Sequence, residues 1–207
     1  MTLVPTEVRA TFAAAARSLP DLIDRIPATA WDGPGLGEWS LRSLVGHTSR
    51  SLTTVLTYLQ RPVQQVDVAT AAAYYDFVMR ATGADPAGVS ERGRQAGIAL
   101  GAQPAGAIRA LVGDALAALD AVTGDPVIET IAGGMHVDAY LPTRIFELAV
   151  HSLDIAAAID VPPSLPAVVL GDALQLAAEI ATLRGDGERL LLSLTGRGAL
   201  PDGYSVV

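Results

Sequence analysis

The sequence contains no cysteine. That excludes disulfides, thiolate metal ligands and a cysteine nucleophile, so any thiol the chemistry needs must come from outside the chain. Lysine and asparagine are missing as well, and all 14 basic residues are arginine. No folding rule demands this; it is what the codon usage of a GC-rich genome produces. Positive charge is scarce, because 22 acidic residues outweigh those 14 and leave a formal net charge of −8. A surface so acidic repels phosphate backbones and anionic lipid, so neither nucleic acid nor a membrane is an expected partner. Charges break every apolar run before it reaches the ~20 residues a membrane span needs. The opening MTLVPTEVRATF has no cationic stretch leading into an apolar core. No signal peptide is therefore expected, and the expected compartment is the cytoplasm. Histidine is sparse, with three in 207 residues, which makes each one worth placing.

What is present is helical periodicity. The length suits one domain with a core of its own, or one domain with a short appendage. A first amphipathic helix is predicted from about Thr6 to Ile26, with Val8, Phe12, Ala15, Leu19, Leu22 and Ile26 along one side. PATAWDGPGLGEW then reads as a loop, since Pro and Gly punctuate it repeatedly. Ser40 fits the N-cap of a second helix running to about Gln60, with Trp39 placed for a hydrophobic staple. Further helices are predicted over Ala69–Ala81, Val89–Leu100 and from Pro104 to about Val122, with the GADPAG break between the first two. GDPVIETIAGGMHVDAY is a Gly-marked excursion with a short strand around Val127 to Ile131. A long helix follows over about Leu141 to Ile159, with Pro142 in its first turn. After VPPSLP another helix spans about Ala167 to Leu183, and the tail ERLLLSLTGRGALPDGYSVV reads as a small hairpin. There is no internal repeat. The expected fold is mainly α: a helical bundle over residues 1–162 with a short C-terminal helix and β-hairpin extension over 163–207.

The long helix carries RIFELAVHSLD. Arg144, Glu147, His151 and Asp154 advance by three, four and three residues, so they share one stripe. Ile145, Leu148, Leu153 and Ile155 flank that stripe, which sets it near the packed side. A Glu and a His one turn apart can offer a carboxylate oxygen and an imidazole nitrogen to one metal, the way bundles build sites from facing helices. The same residues equally make two ordinary ion pairs, Arg144 with Glu147 and His151 with Asp154, worth a few tenths of a kcal/mol. A metal needs a third ligand. His47 lies within the second helix among core-type residues, where a buried structural histidine is the commoner case. His136 follows two glycines in a loop. Spacing does not choose between them.

GLGEWSLRSLVGH and, about a hundred residues later, YLPTRIFELAVHSLDIA resemble two motifs of the DinB-like bundles. Specifically, they are similar to the N-terminal domain of the mycothiol-dependent maleylpyruvate isomerase family. The resemblance covers roughly residues 5 to 160 and extends to the tail LLLSLTGRGALPDGYSVV. It implies a DinB-like four-helix bundle holding one divalent metal, zinc first and Ni²⁺ or Mn²⁺ as alternatives. Carried over by motif, the ligands are His47, Glu147 and His151. Arg144 and Asp154 become supporting residues beside the reaction, Asp154 by orienting His151; His136 matches no ligand position.

Two imidazoles and a carboxylate leave a divalent metal with net positive charge and an open position, suited to an external thiolate. Mycothiol, the small thiol of GC-rich actinobacteria, is the implied co-substrate. About forty-five residues follow Pro162, fewer than the isomerase's C-terminal domain needs. The expected chemistry is therefore thiol transfer or a related isomerisation on another small electrophile, with a pocket roomy enough for both reactants. Two alternatives stay open: a non-catalytic metal-containing binding or stress-response protein, and metal-assisted hydrolysis with Asp154 as base. A homodimer paired through helix faces is also compatible with the composition.

Overall fold

The computed structural model describes residues 5–82 and 86–207. Helix α1 (Pro5–Ile23) buries the predicted stripe, with Phe12 and Leu19 fully enclosed and Ile26 buried just past its end. The loop up to Trp39 contains a lone bridge between Pro34 and Ser40. Ser40 then caps α2 (Leu41–Leu59), its hydroxyl accepting from the Ser43 amide at 3.2 Å and so satisfying one of the orphan donors of the first turn. Helices α3 (Ala71–Thr82), α4 (Pro86–Ala99) and α5 (Pro104–Asp120) follow the predicted order. Residues 83–85 of the GADPAG break lie outside those described.

Three elements differ from expectation. The Gly-marked excursion is an antiparallel hairpin, β1 (Val127–Thr130) with β2 (Gly133–His136), and not a single strand. The second strand is GGMH, which has no β-branched residue to announce it. It pairs nonetheless, because residues 61–68 strap the hairpin from its other side. The Val63 amide donates to Val127, the Glu129 amide to Arg61, and the Asp67 and Val68 amides to Gly134.

The long helix α6 (Val137–Ala158) starts four residues earlier than predicted. The Val137 amide donates to the Pro126 carbonyl and the Asp138 amide to Asp125 Oδ1, which anchors an extra turn. Pro142 consequently sits in the second turn, and the Asp138 carbonyl loses its partner along the helix. The tail is also corrected. ERLLLSL forms helix α8 (Gly187–Leu194) after α7 (Ala167–Leu183), and no hairpin follows it. Leu190, Leu191 and Leu194 recur at helical spacing, and a run that short fits either period.

Helix α6 is central and packs on α1, α2, α3 and α7, while α2 also packs on α4 and α5. The tightest crossing is between α2 and α4. A Cβ on Gly46 would lie 2.1 Å from the Gly97 amide nitrogen, and one on Gly97 would lie 2.5 Å from the Arg42 carbonyl. Backbone touches backbone there, and only hydrogen side chains fit. That contact is one residue away from His47.

Candidate metal centre

The α2–α4 crossing seats His47 with its Cβ close to Gly93 and its ring against Trp39, centroids 4.9 Å apart. Trp39, expected as a staple, thus walls the histidine. Opposite, α6 presents Glu147 and His151 from one face, as i,i+4 spacing dictates. His47 Nε2 lies 3.8 Å from Glu147 Oε2, and His151 Nε2 lies 3.2 Å from the same oxygen. One ligand atom from each of the three falls within 4.8 Å of the others. Ligand atoms of a tetrahedral zinc are about 3.3 Å apart, given bonds of ~2.05 Å, so this group fits a metal with small adjustments.

The far sides of two of these residues are already occupied. His151 Nδ1 is 3.0 Å from Asp154 Oδ2, so its N–H donates there and Nε2 is the ring nitrogen aimed at the centre. The Tyr75 hydroxyl donates to Glu147 Oε1 at 2.7 Å, leaving Oε2 for the centre. Burial and the adjacent Glu147 charge push that phenol well above its usual pKa, so it stays a donor. His47 Nδ1 is buried without a hydrogen-bond partner among the described residues.

The electrostatics without a metal are those of an ion-paired cluster. Burial works against a charge on Glu147, but the two histidines and the Arg144 charge hold its carboxyl well below the usual range. Burial likewise disfavours a charged His151, yet its bonds to Asp154 and Glu147 outweigh this and raise it to about 9. The side chains keep 18, 21 and 14% exposure at His47, Glu147 and His151, so the group is reachable from solvent. A roomy pocket beside it does not appear among the described clefts. One of about 240 Å³ is lined by Asp138, Asp172 and Glu179, and another by Ser152 and Arg25.

Four of the six residues singled out in the sequence therefore meet: His47, Glu147, His151 and Asp154. Arg144 is turned away. Its Nε donates to Thr143 Oγ1, and its guanidinium lies 5.1 Å and 5.8 Å from the ring centroids of Tyr140 and Tyr74. His136 is remote, with Nδ1 on the Asp125 carbonyl at the start of α6. Tyr75 is the residue that local spacing misses. The only hint is general, that a tyrosine buried in a helix needs a partner for its hydroxyl.

A helical bundle whose two facing helices present His, Glu and His to one point defines a candidate metal-binding bundle. A family model for the mycothiol maleylpyruvate isomerase N-terminal domain matches residues 12–156, and the chain belongs to that family. No curated protein and no solved structure matches it.

Proposed function

We propose that the protein is a metal-dependent enzyme that transfers an external small thiol, mycothiol in this reading, to a small electrophile or uses it to isomerise one. The observation that carries this is the preparation of the centre. Two imidazole nitrogens and one carboxylate oxygen converge from α2 and α6, while Asp154 and Tyr75 hold the far atoms of His151 and Glu147. An ordinary ion-paired helix face needs neither backing bond. A divalent metal bound there, zinc first, supplies a positive charge that favours the thiolate over the thiol near neutral pH.

The chain's own residues do the rest. His47 and His151 bind as neutral imidazoles, which keeps the centre's net charge positive. Glu147 offers one oxygen and is kept in rotamer by Tyr75. Asp154 fixes the tautomer of His151, and its bond to Nδ1 faces it away from the centre, which argues against a role as hydrolytic base. The partial exposure of all three ligand residues favours an open site over closed, non-catalytic storage. Membership of the family supports mycothiol as the thiol, and the lack of cysteine agrees with a thiol from outside.

The test is elemental analysis of the purified chain beside His47→Ala and His151→Ala, then turnover of model electrophiles with and without thiol. About one equivalent of metal, lost in both variants, together with thiol-dependent turnover is the expected result. Metal content that ignores both substitutions would overturn the reading.

A further inference from the structure

Helices α1, α3, α6 and α7 enclose a cavity of about 240 Å³ at the far end of the bundle from the His–Glu–His group. Asp138, on its wall, lies nine residues before Glu147 on α6, or about 13 Å along the helix axis. Val8, Ala139, Pro142 and Leu176 make much of that wall apolar, while Asp138 and Asp172 line it from α6 and α7. Positions 172, 176 and 179 share one face of α7, so Glu179 joins them at an exposed edge.

Neither aspartate is fully matched by the fold. The Asp138 side chain is nine-tenths buried, with 10% exposure. Arg9 donates from Nε to its Oδ1 at 2.7 Å, and commits Nη1 and Nη2 to the carbonyls of Val122 and Gly124. Asp138 Oδ2 is left buried with no hydrogen-bond partner among the described residues, and so is Asp172 Oδ2. Pro142, on the same wall, withholds the N–H that the Asp138 carbonyl would otherwise accept. Burial raises the pKa of both carboxyls, which Arg9 offsets only in part at Asp138 and Thr11 only in part at Asp172. The charges of Asp125 and Glu7, respectively, push in the same direction as burial. Two buried oxygens without donors beside one cavity are an exception in a folded protein, and a ligand that donates to both removes it.

We infer that this cavity binds a small aliphatic ammonium compound, its N–H groups on Asp138 and Asp172 and its carbon chain against Val8, Pro142 and Leu176. An ammonium group supplies both the positive charge and the donors that the two oxygens lack. A bare divalent ion fits less well. Among the described residues, only His47, Glu147 and His151 form a group of three whose ligand atoms lie within 4.8 Å of one another. Asp138, Asp172 and Glu179 do not converge in that way. The volume is below the ~300 Å³ at which sites for drug-sized molecules begin, which limits the compound to a few carbon atoms. The net charge of −8 favours the approach of a cation. None of this depends on what the His–Glu–His group binds.

The experiment is isothermal titration calorimetry on the full chain with butane-1,4-diamine, compared with neutral butane-1,4-diol and with magnesium. Both ends of the diamine are protonated at neutral pH, as a lysine amine is with its pKa of ~10.4. One diamine per chain is expected, bound at least tenfold tighter than either comparison. Asp138→Asn and Asp172→Asn should each weaken it at least tenfold. Asp202→Asn removes the same charge from the exposed tail and should leave binding unchanged, as should His47→Ala. If Asp138→Asn fails to fold without its Arg9 bridge, Asp172→Asn decides alone, since asparagine still accepts from Thr11. Absent diamine binding, equal binding of the diol or tighter binding of magnesium overturns the proposal. So does full binding in Asp172→Asn, or a loss in Asp202→Asn or His47→Ala as large as the one in Asp172→Asn.

Discussion

His151 carries a proton that a metal must displace. In the metal-free protein its pKa is raised to about 9 by Asp154 and Glu147, against the opposing effect of burial, compared with ~6.5 for an unperturbed histidine. Folding thus favours the charged form. That stabilisation is complete below pH ~6.5 and disappears as the pH rises through about 9, so thermal melts of the metal-free protein should fall across that window. Metal affinity should run the other way. It is expected to strengthen about tenfold per pH unit below 9 and then level off, with one proton released per metal. Competition titrations with a chelator at three pH values check this, and a flat profile would remove His151 from the ligand set. Tyr75→Phe tests the backing of Glu147. It deletes the hydroxyl that donates to Oε1 at 2.7 Å, and the expectation is a loss of metal affinity of about tenfold or more, with helicity by circular dichroism unchanged.

At the scale of elements, the α2–α4 crossing sets where His47 stands. Gly97→Ala drives a methyl group into the Arg42 carbonyl, so the helices must separate. A loss of about 1–3 kcal/mol is expected in chemical denaturation, as overpacking typically causes, together with weakened metal binding. Gly106→Ala is the control. Gly106 is exposed in α5 and an added Cβ meets nothing within 4 Å, so the helix should gain about 0.5–1 kcal/mol.

How far these elements were legible depended on whether their cause was local. The Ser40 cap lies within one turn and the 144–147–151–154 stripe within one helix, and the sequence shows them directly. The bond from Tyr75 to Glu147 spans 72 residues, and no spacing rule reaches that far. His47 became a ligand candidate only through the family resemblance, since nothing near it separates a ligand from a core histidine. Misreadings fell where patterns were short or masked. GGMH pairs as a strand because residues 61–68 support it, and the apolar run of the tail is too brief to fix its period. Arg144 matched the motif, but its direction was settled by Tyr74 and Tyr140, which flank it in space.

Across the whole molecule, no described helix is long and apolar enough to cross a membrane, and the core is shared by α1, α2, α3, α5, α6 and α7. The three candidate ligand residues sit on helices that the chain visits about one hundred residues apart. A metal joining His47 to Glu147 and His151 is therefore a cross-link, in a chain with no cysteine to make any other. It closes a loop of about one hundred residues and removes from the unfolded chain the freedom to separate those ends. For a permanent cross-link of that span the entropic effect approaches ~4.7 kcal/mol, and a metal clip recovers the part its affinity allows. Stripping the metal should then lower the melting temperature by several degrees and make it depend on metal concentration. The proposed centre has a second, mechanical consequence, because an ion bound there would tie the early helices to the late ones and make the bundle's endurance depend on that ion.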